Sequence, residues 1–282
     1  MSSYRFCRTD DIALLVDAWN RCGLPHDPGA LPLTVPEFKQ EIRELGLWCS
    51  SCMVAFDGSE PVGVLIGCKR PPTTLVQRLA VHPDHVRRGH GRHLLTSLSA
   101  KLAILGPKEL VAEIPAGTSG TTALFDACGW RVAHHFVDLS VAQAEDRTTD
   151  LAVHEVTLED LGESALPVES SGRSWERSRA TIAARAARLR GLALASGERV
   201  EASVLYAPAE GGKAAVWNVA YERDAAGEAA LAALLREVGR REQGDVVLPR
   251  VGPDEIDVDR LDRLGLTAGA LTSGYVSAAR PG

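Results

Sequence analysis

No apolar run in this sequence approaches the roughly 20 residues that a membrane-spanning helix needs, and Met1-Ser2-Ser3-Tyr4 does not begin a secretory leader. No membrane partner is expected, and the chain reads as cytoplasmic. An excess of basic charge is also missing: 31 Lys and Arg stand against 37 Asp and Glu, for a net charge of −6. That balance argues against general nucleic-acid binding. A zinc set is missing too. Cys49 and Cys52 are spaced as Cys-x-x-Cys, but no second pair completes the site. Leu47 to Phe56 reads as a strand, on which residues three apart point to opposite faces. The six cysteines fit a reducing compartment, and this pair reads as core.

Two phosphate-loop signatures are absent as well. The dinucleotide fingerprint requires a third glycine at position 94, where Leu94 stands. The nucleoside-triphosphate loop requires Gly-Lys-Ser/Thr, and the one Gly-Lys pair, Gly212-Lys213, is followed by Ala214. What is present is ordinary globular material, 45% hydrophobic and 24% charged, in a length of 282 residues that accommodates two domains of about 140.

The informative stretch is Leu79-Ala-Val-His-Pro-Asp-His-Val-Arg-Arg-Gly-His-Gly-Arg-His-Leu-Leu95. It reads as a strand end, a proline-marked turn, a basic glycine loop and a helix start. Leucines at 94, 95, 98, 102 and 105 give that helix one apolar face. Bare N–H groups and the helix dipole make such a start an anion site, and Arg87, Arg88 and Arg92 add charge. The stretch reads as a pyrophosphate cradle.

Around it, a strand near Tyr4–Arg8 precedes a helix from Ile12 capped by Thr9-Asp10-Asp11. A loop rich in Pro and Gly covers 23–35, and a helix runs from Pro36 to Leu45. A hairpin turns at Asp57-Gly58. Strands are expected over Thr74–Val81 and Glu109–Ile114, a helix over Thr121–Cys128 ended by Gly129, and a closing hairpin beginning at Trp130–Leu139. Residues 143–150 read as a polar linker. The second half echoes the first: Ser196-Gly-Glu-Arg-Val200 follows Asp57–Val62 at an offset of about 138, and Leu261–Leu266 follows Phe125–Trp130 at about 136. Val216–Tyr221 takes the place of the cradle strand and Leu231–Val238 that of its helix. Between them, Glu222–Glu228 is acidic and would repel a pyrophosphate, so the second half reads as a degenerate copy without cofactor. Arg177 to Arg190 reads as an amphipathic surface helix.

The cradle resembles the coenzyme A loop of the GNAT acetyltransferases, Gln/Arg-x-x-Gly-x-Gly/Ala after a strand. The matching positions are Val86, Arg87, Arg88, Gly89, His90 and Gly91, with Val86 departing from the pattern. The resemblance implies an α+β fold of two tandem domains, each a mostly antiparallel twisted sheet flanked by helices, at 1–142 and 150–282. It implies acetyl-CoA as co-substrate, contacted by Leu79, Ala80 and Val81 on the strand, by the loop through Arg92, and by Phe125. The donor to the reaction's oxyanion would be a backbone N–H near Leu79. The second family signature falls on Glu113-Ile114, Thr118, Phe125, Gly129 and Trp130. Glu113 is then the candidate general base, unless it is a solvated strand residue. Phe125 replaces a tyrosine and cannot donate a proton.

The implied activity is transfer of an acetyl group to a primary amine by direct attack. The alternatives are a coenzyme A-binding module without turnover and an enzyme for a larger acyl-CoA. His82, His85, His90 and His93 have paired spacing, but lie on a strand end, a loop and a helix. They are not expected to converge, and no metal is expected.

Overall fold

A computed structural model describes residues 2–141, 152–162, 165–167, 172–196 and 199–281. The expected linker at 143–150, and Gly197-Glu198 of the second-half echo, lie outside the described residues. The chain forms two compact units: Met1–Ala133 with Ser273–Gly282, and His134–Thr272.

The first unit runs β1 (Ser2–Phe6), α1 (Ile12–Cys22), α2 (Val35–Leu45), β2 (Met53–Asp57), β3 (Glu60–Arg70), β4 (Thr73–Val81), α3 (His90–Leu105), β5 (Glu109–Pro115) and α4 (Ser119–Ala127). Its sheet has the order β1-β2-β3-β4-β5, followed by the end of β12 (Leu266–Ala278). Neighbours from β1 to β4 pair antiparallel, whereas β4 and β5 are parallel. The helical spacing of leucines on α3 has the expected consequence for four of the five, whereas Leu105, at the helix end, is 67% exposed. Leu94, Leu95, Leu98 and Leu102 are buried with Met53, Leu65, Val76, Leu110 and Ile114. Helix α2 begins with a capping box between Thr34 and Glu37. Helix α1 does not use its expected cap. The Asp11 carboxylate instead receives both guanidinium nitrogens of Arg5 at 2.7 Å and the Arg8 N–H at 2.7 Å. Those bonds lower its pKa to about 2.

Three expectations of local structure are corrected. Cys49 is not on a strand: Cys49–Ser51 is a 3-10 turn, and β2 starts at Met53. The turn lies against Gly67, where a Cβ would come 2.6 Å from the Ser51 carbonyl oxygen. Cys52 is buried, its thiol donating to the Trp48 carbonyl at 3.3 Å and its pKa pushed up by burial. Trp130–Leu139 does not open a hairpin. β6 (Arg131–Val141) pairs antiparallel with the distant β11 (Asp245–Val251), through Val247↔Ser140 and Leu248↔Leu139. Nor does a surface helix run from Arg177 to Arg190. Helix α6 covers only Arg179–Arg185, after α5 (Leu158–Leu161), and Arg177 is fully buried. Ala186–Arg188 forms a 3-10 turn and Arg190 opens a strand, because Leu192 and Leu194 are sheet-core residues.

The second unit contains the first part of β12, then β6, β11, β10 (Lys213–Tyr221), β9 (Arg199–Glu210), β8 (Arg190–Ser196) and β7 (Val153–Val156). Helix α7 (Ala225–Glu242) buries Leu231, Leu234, Leu235 and Val238 against Val204, Val216 and Leu248. Helix α8 (Leu261–Leu264) precedes β12. The units share details that bare strand counts would not demand. Each has one parallel strand pair, β4–β5 and β10–β11. Each has an unpaired residue in the preceding antiparallel ladder, Gln77 and Trp217. Each has a left-handed glycine after a short helix, Gly129 and Gly265. Among the described residues no helix is long and apolar enough to cross a membrane.

Leu98 is wholly buried beneath α3. Leu98→Ala is expected to destabilise the first unit by about 2–5 kcal/mol, read by denaturant unfolding.

Candidate active site

Two features of the first unit meet at the end of β4. The first is the start of α3. After β4 the His82 N–H donates to the Val62 carbonyl at 3.0 Å, and Pro83–His85 makes a 3-10 turn. The chain then passes through left-handed residues at Arg87 (φ 62°) and Gly89 (φ 89°). Gly89 is the N-cap of α3 and supplies no side-chain acceptor. The first-turn N–H groups of α3 are thus left for an acceptor from outside. The two glycines serve different ends. Gly89 has open space around its Cα but a left-handed φ, whereas at Gly91 a Cβ would sit 2.8 Å from Leu124 Cδ2. Arg87, Arg88 and Arg92 are exposed on this loop and first turn, and Val86 is 42% exposed.

The second feature is a divergence of strands. β4 and β5 pair from Thr73↔Glu109 to Val76↔Ala112 and no further, although β4 continues to Val81 and β5 to Pro115. β4 stays paired with β3 as far as Gly63↔Val81. Its last five residues therefore have one ladder edge satisfied and one free. His82 bonds toward β3, so alternation turns the polar backbone groups of Leu79 and Val81 to the free edge. The Val81 carbonyl on that edge lies 2.8 Å from His26 Nε2. A carbonyl only accepts, so His26 carries its proton on Nε2. Sequence reasoning missed His26: a single histidine in a Pro- and Gly-rich loop carries no spacing signal.

Side-chain faces follow from the bulge at Gln77. Leu79 packs toward the α3 core, and Arg78 points to the α1–α2 side. There Arg78 bonds both carboxylate oxygens of Glu41 at 2.5 and 2.8 Å and lies over the Trp19 ring at 5.2 Å. This ties the free-edged part of β4 to both helices. Glu113 is half-buried, one residue past the last β4–β5 pair. Its neighbours Ala112 and Ile114 belong to the α3-side core, so alternation directs Glu113 to the same face as Arg78. Ala80 is buried in β4. Phe125 does not face this gap as an open ring: it is 2% exposed and packs edge-on against Trp130, with Tyr275 at 5.9 Å.

Three of the four histidines, His82, His85 and His90, come into pairwise ring contact, because the Pro83–His85 turn folds back on the helix start. The rings of His82 and His85 are 5.9 Å apart, and those of His85 and His90 6.2 Å. His90 is buried, with Nδ1 2.8 Å from the Tyr4 hydroxyl, and Tyr4 stacks on His93 at 3.8 Å. Among the described residues no group of three or more His, Cys, Asp or Glu side chains is disposed to hold a metal ion. Burial, then the nearby His85 and Arg88, lowers the His90 pKa. A neutral ring accepting the Tyr4 hydroxyl fits that direction.

Residues 48–132 match the family model described as an acetyltransferase (GNAT) domain. Residues 48–132 thus carry a GNAT acetyltransferase domain, a class that draws acyl groups from acyl-CoA. No curated protein matches the sequence. Among solved structures, a GCN5-related N-acetyltransferase from Sphaerobacter thermophilus superposes with TM-score 0.68 at 14% identity, covering 100% of this chain and 96% of that one. A tandem GNAT protein from the clavulanic acid biosynthesis pathway superposes with TM-score 0.69 at 16% identity, covering all of both chains. A further structure, from Pyrococcus horikoshii, gives TM-score 0.63 at 15% identity, over 99% of this chain and 90% of that one. At these identities the likeness is one of fold, and the fold is that of a tandem GNAT protein.

His90 yields a pH test. Its pKa in the folded chain lies below the ordinary 6.5, so its contribution to stability is complete above about 6.5 and is lost as pH falls toward the folded value. Between pH 7.5 and pH 5.5 the thermal midpoint of His90→Gln is expected to fall less than that of the parent. Parallel curves would remove His90 as the titrating group.

Proposed function

We propose that the first unit transfers an acetyl group from acetyl-CoA to a primary amine by direct attack. The observation that carries this reading is the meeting of the uncapped α3 start with the free edge of β4 at residues 77–81. A diphosphate fits the former and an extended pantetheine arm the latter. In this reading the arm runs along Leu79, Ala80 and Val81 and pairs with the free backbone groups as an added strand would. The diphosphate lies on the N–H groups from Gly89 to Arg92, with Arg87 and Arg88 alongside and Val86 at the rim. Since the cradle works through backbone N–H groups, Val86 weakens it without removing it.

The Leu79 N–H serves the thioester carbonyl, where negative charge develops as the amine adds. The Arg78–Glu41 pair and the Trp19 ring keep that strand segment fixed. Glu113 takes the proton that the attacking amine releases, directly or through water. The amine's C–N bond forms, the C–S bond breaks, and coenzyme A leaves as thiolate or thiol. Phe125 gives the thiolate no acid, so water must protonate it. That same ring favours one second reading, a coenzyme A-binding module without turnover. The acceptor approaches from the α1–α2 face, where the loop at 23–35 and His26 lie. That loop carries the acceptor's identity, which no motif announces. One GNAT-containing structure similar in fold belongs to a glucosamine N-acetyltransferase region of a fungal enzyme, so amino sugars belong in the screen beside amino acids and peptide N-termini.

The test is calorimetric titration of acetyl-CoA, followed by thiol release on addition of a panel of primary amines. Gly89→Glu places a side chain and a negative charge in the cradle, and is expected to weaken binding by about tenfold or more. Leu79→Pro removes a backbone donor from the free edge alone. It is expected to lower kcat by about 100- to 1,000-fold with binding of acetyl-CoA largely kept. Binding without thiol release from any amine would select the module. An absence of binding would end both readings.

A further inference from the structure

The second unit repeats the strand divergence of the first. β10 and β11 pair in parallel from Lys213↔Asp245 to Ala215↔Val247 and no further, although they continue to Tyr221 and Val251. Here the gap is filled. Arg177 Nη1 donates to the Val216 carbonyl on β10 at 2.8 Å and to the Pro249 carbonyl on β11 at 3.3 Å. One guanidinium thus bridges the two strands just where they part. Its Nε donates to both oxygens of Glu255 at 3.0 and 2.8 Å, and both side chains are wholly buried. Glu255 also receives Arg173 Nη1 at 2.8 Å and the Gly252 N–H at 3.1 Å.

The helix start that follows β10 is filled as well. The Asp224 carboxylate caps α7, accepting the Gly227 N–H at 2.8 Å, and so stands where the first unit leaves its amides for an outside anion. Glu228, in the first turn of α7, is buried and paired with Arg260. The Glu222 carbonyl lies so close to Gly227 that not even a Cβ could be added there. A diphosphate would meet two carboxylates and no room.

We infer that the second unit carries its own occupant in the place of an acyl-CoA. The Arg177–Glu255 pair fills the pantetheine channel, Asp224 fills the phosphate cradle, and one chain therefore binds one acyl-CoA, in the first unit. The stoichiometry rests on the function proposed for the first unit; the plug itself does not. Among the described residues Arg177 Nη2 is buried without a hydrogen-bond partner, so the pair holds the gap at a cost. Such a pair is damaging to break and tolerable to replace whole.

Two measurements test this. Coenzyme A titrated into the full chain is expected to bind with one equivalent, with affinity about tenfold or more lower in Gly89→Glu. Two equivalents, or one equivalent bound by Gly89→Glu with the parent's affinity, would overturn the inference. If the parent binds no coenzyme A, the reading of the first unit fails, and thermal unfolding decides this one. Arg177→Met alone is expected to lower the unfolding midpoint of the second unit by roughly 10 °C, because Glu255 is left buried without its main partner. The double variant Arg177→Met with Glu255→Met is expected to recover more than half of that loss. An unchanged midpoint in the single variant, or no recovery in the double, would overturn the plug.

Discussion

The early end of the β4–β5 ladder is the constraint on which the rest of the first unit depends. Parallel strands joined through a crossover helix have no hairpin to hold them in register to their tips, and here the unpaired Gln77 turns the rest of β4 with β3 rather than with β5. From Gln77 onward one edge of β4 is a row of backbone donors and acceptors without a strand to meet them. Such an edge demands a partner, whether water, side chain or extended ligand. The elements around it are arranged to that end. α3 begins where β4 stops, and α1 and α2 hold the free segment through Trp19, Glu41 and Arg78. The loop before α2 brings His26 to the Val81 carbonyl.

The electrostatics of the site are local rather than global. The chain is acidic, at −6, yet the α3 start collects three arginines, a histidine row and the positive end of a helix dipole. Burial keeps His90 toward its neutral form. The guanidinium groups and the helix-start amides therefore supply positive potential there without a contribution from the His90 ring.

How far this was legible in the sequence depends on whether a feature is local. The glycine turn and the helix start at residues 86–95 were, because Gly89, Gly91 and the leucine spacing of α3 express conformational and packing needs within a dozen residues. The two-unit plan was also visible, through an echo whose glycines, Gly129 and Gly265, prove to be left-handed in both copies. Features made by distant residues were not. Nothing near Trp130 announces that β6 will pair with β11, more than a hundred residues on. The histidines looked scattered because spacing along a chain does not describe a turn that folds back. Arg177 was misread for a related reason. Alternation of alanine and arginine resembles a solvated helix face, and only the partner Glu255, distant in sequence, turns that arginine into a buried residue.

The contrast between the two units follows from the same demand made by an open strand edge. A duplicated fold inherits the divergence, since the bulge and the parallel ladder belong to its framework: both recur, at Gln77 and at Trp217. An inherited gap that binds nothing would leave carbonyl groups such as those of Val216 and Pro249 buried without donors, at about 1–3 kcal/mol for each. A single guanidinium with five donors is suited to meet acceptors on two diverging strands at once, and its charge then requires a buried carboxylate. In the first unit the corresponding edge meets the exposed side chain of His26 through a hydrogen bond at the Val81 carbonyl, which an incoming strand-like ligand can replace. The open edge suits a transient partner and the closed edge a permanent one, and the difference between them resides in a few side chains on a common backbone plan.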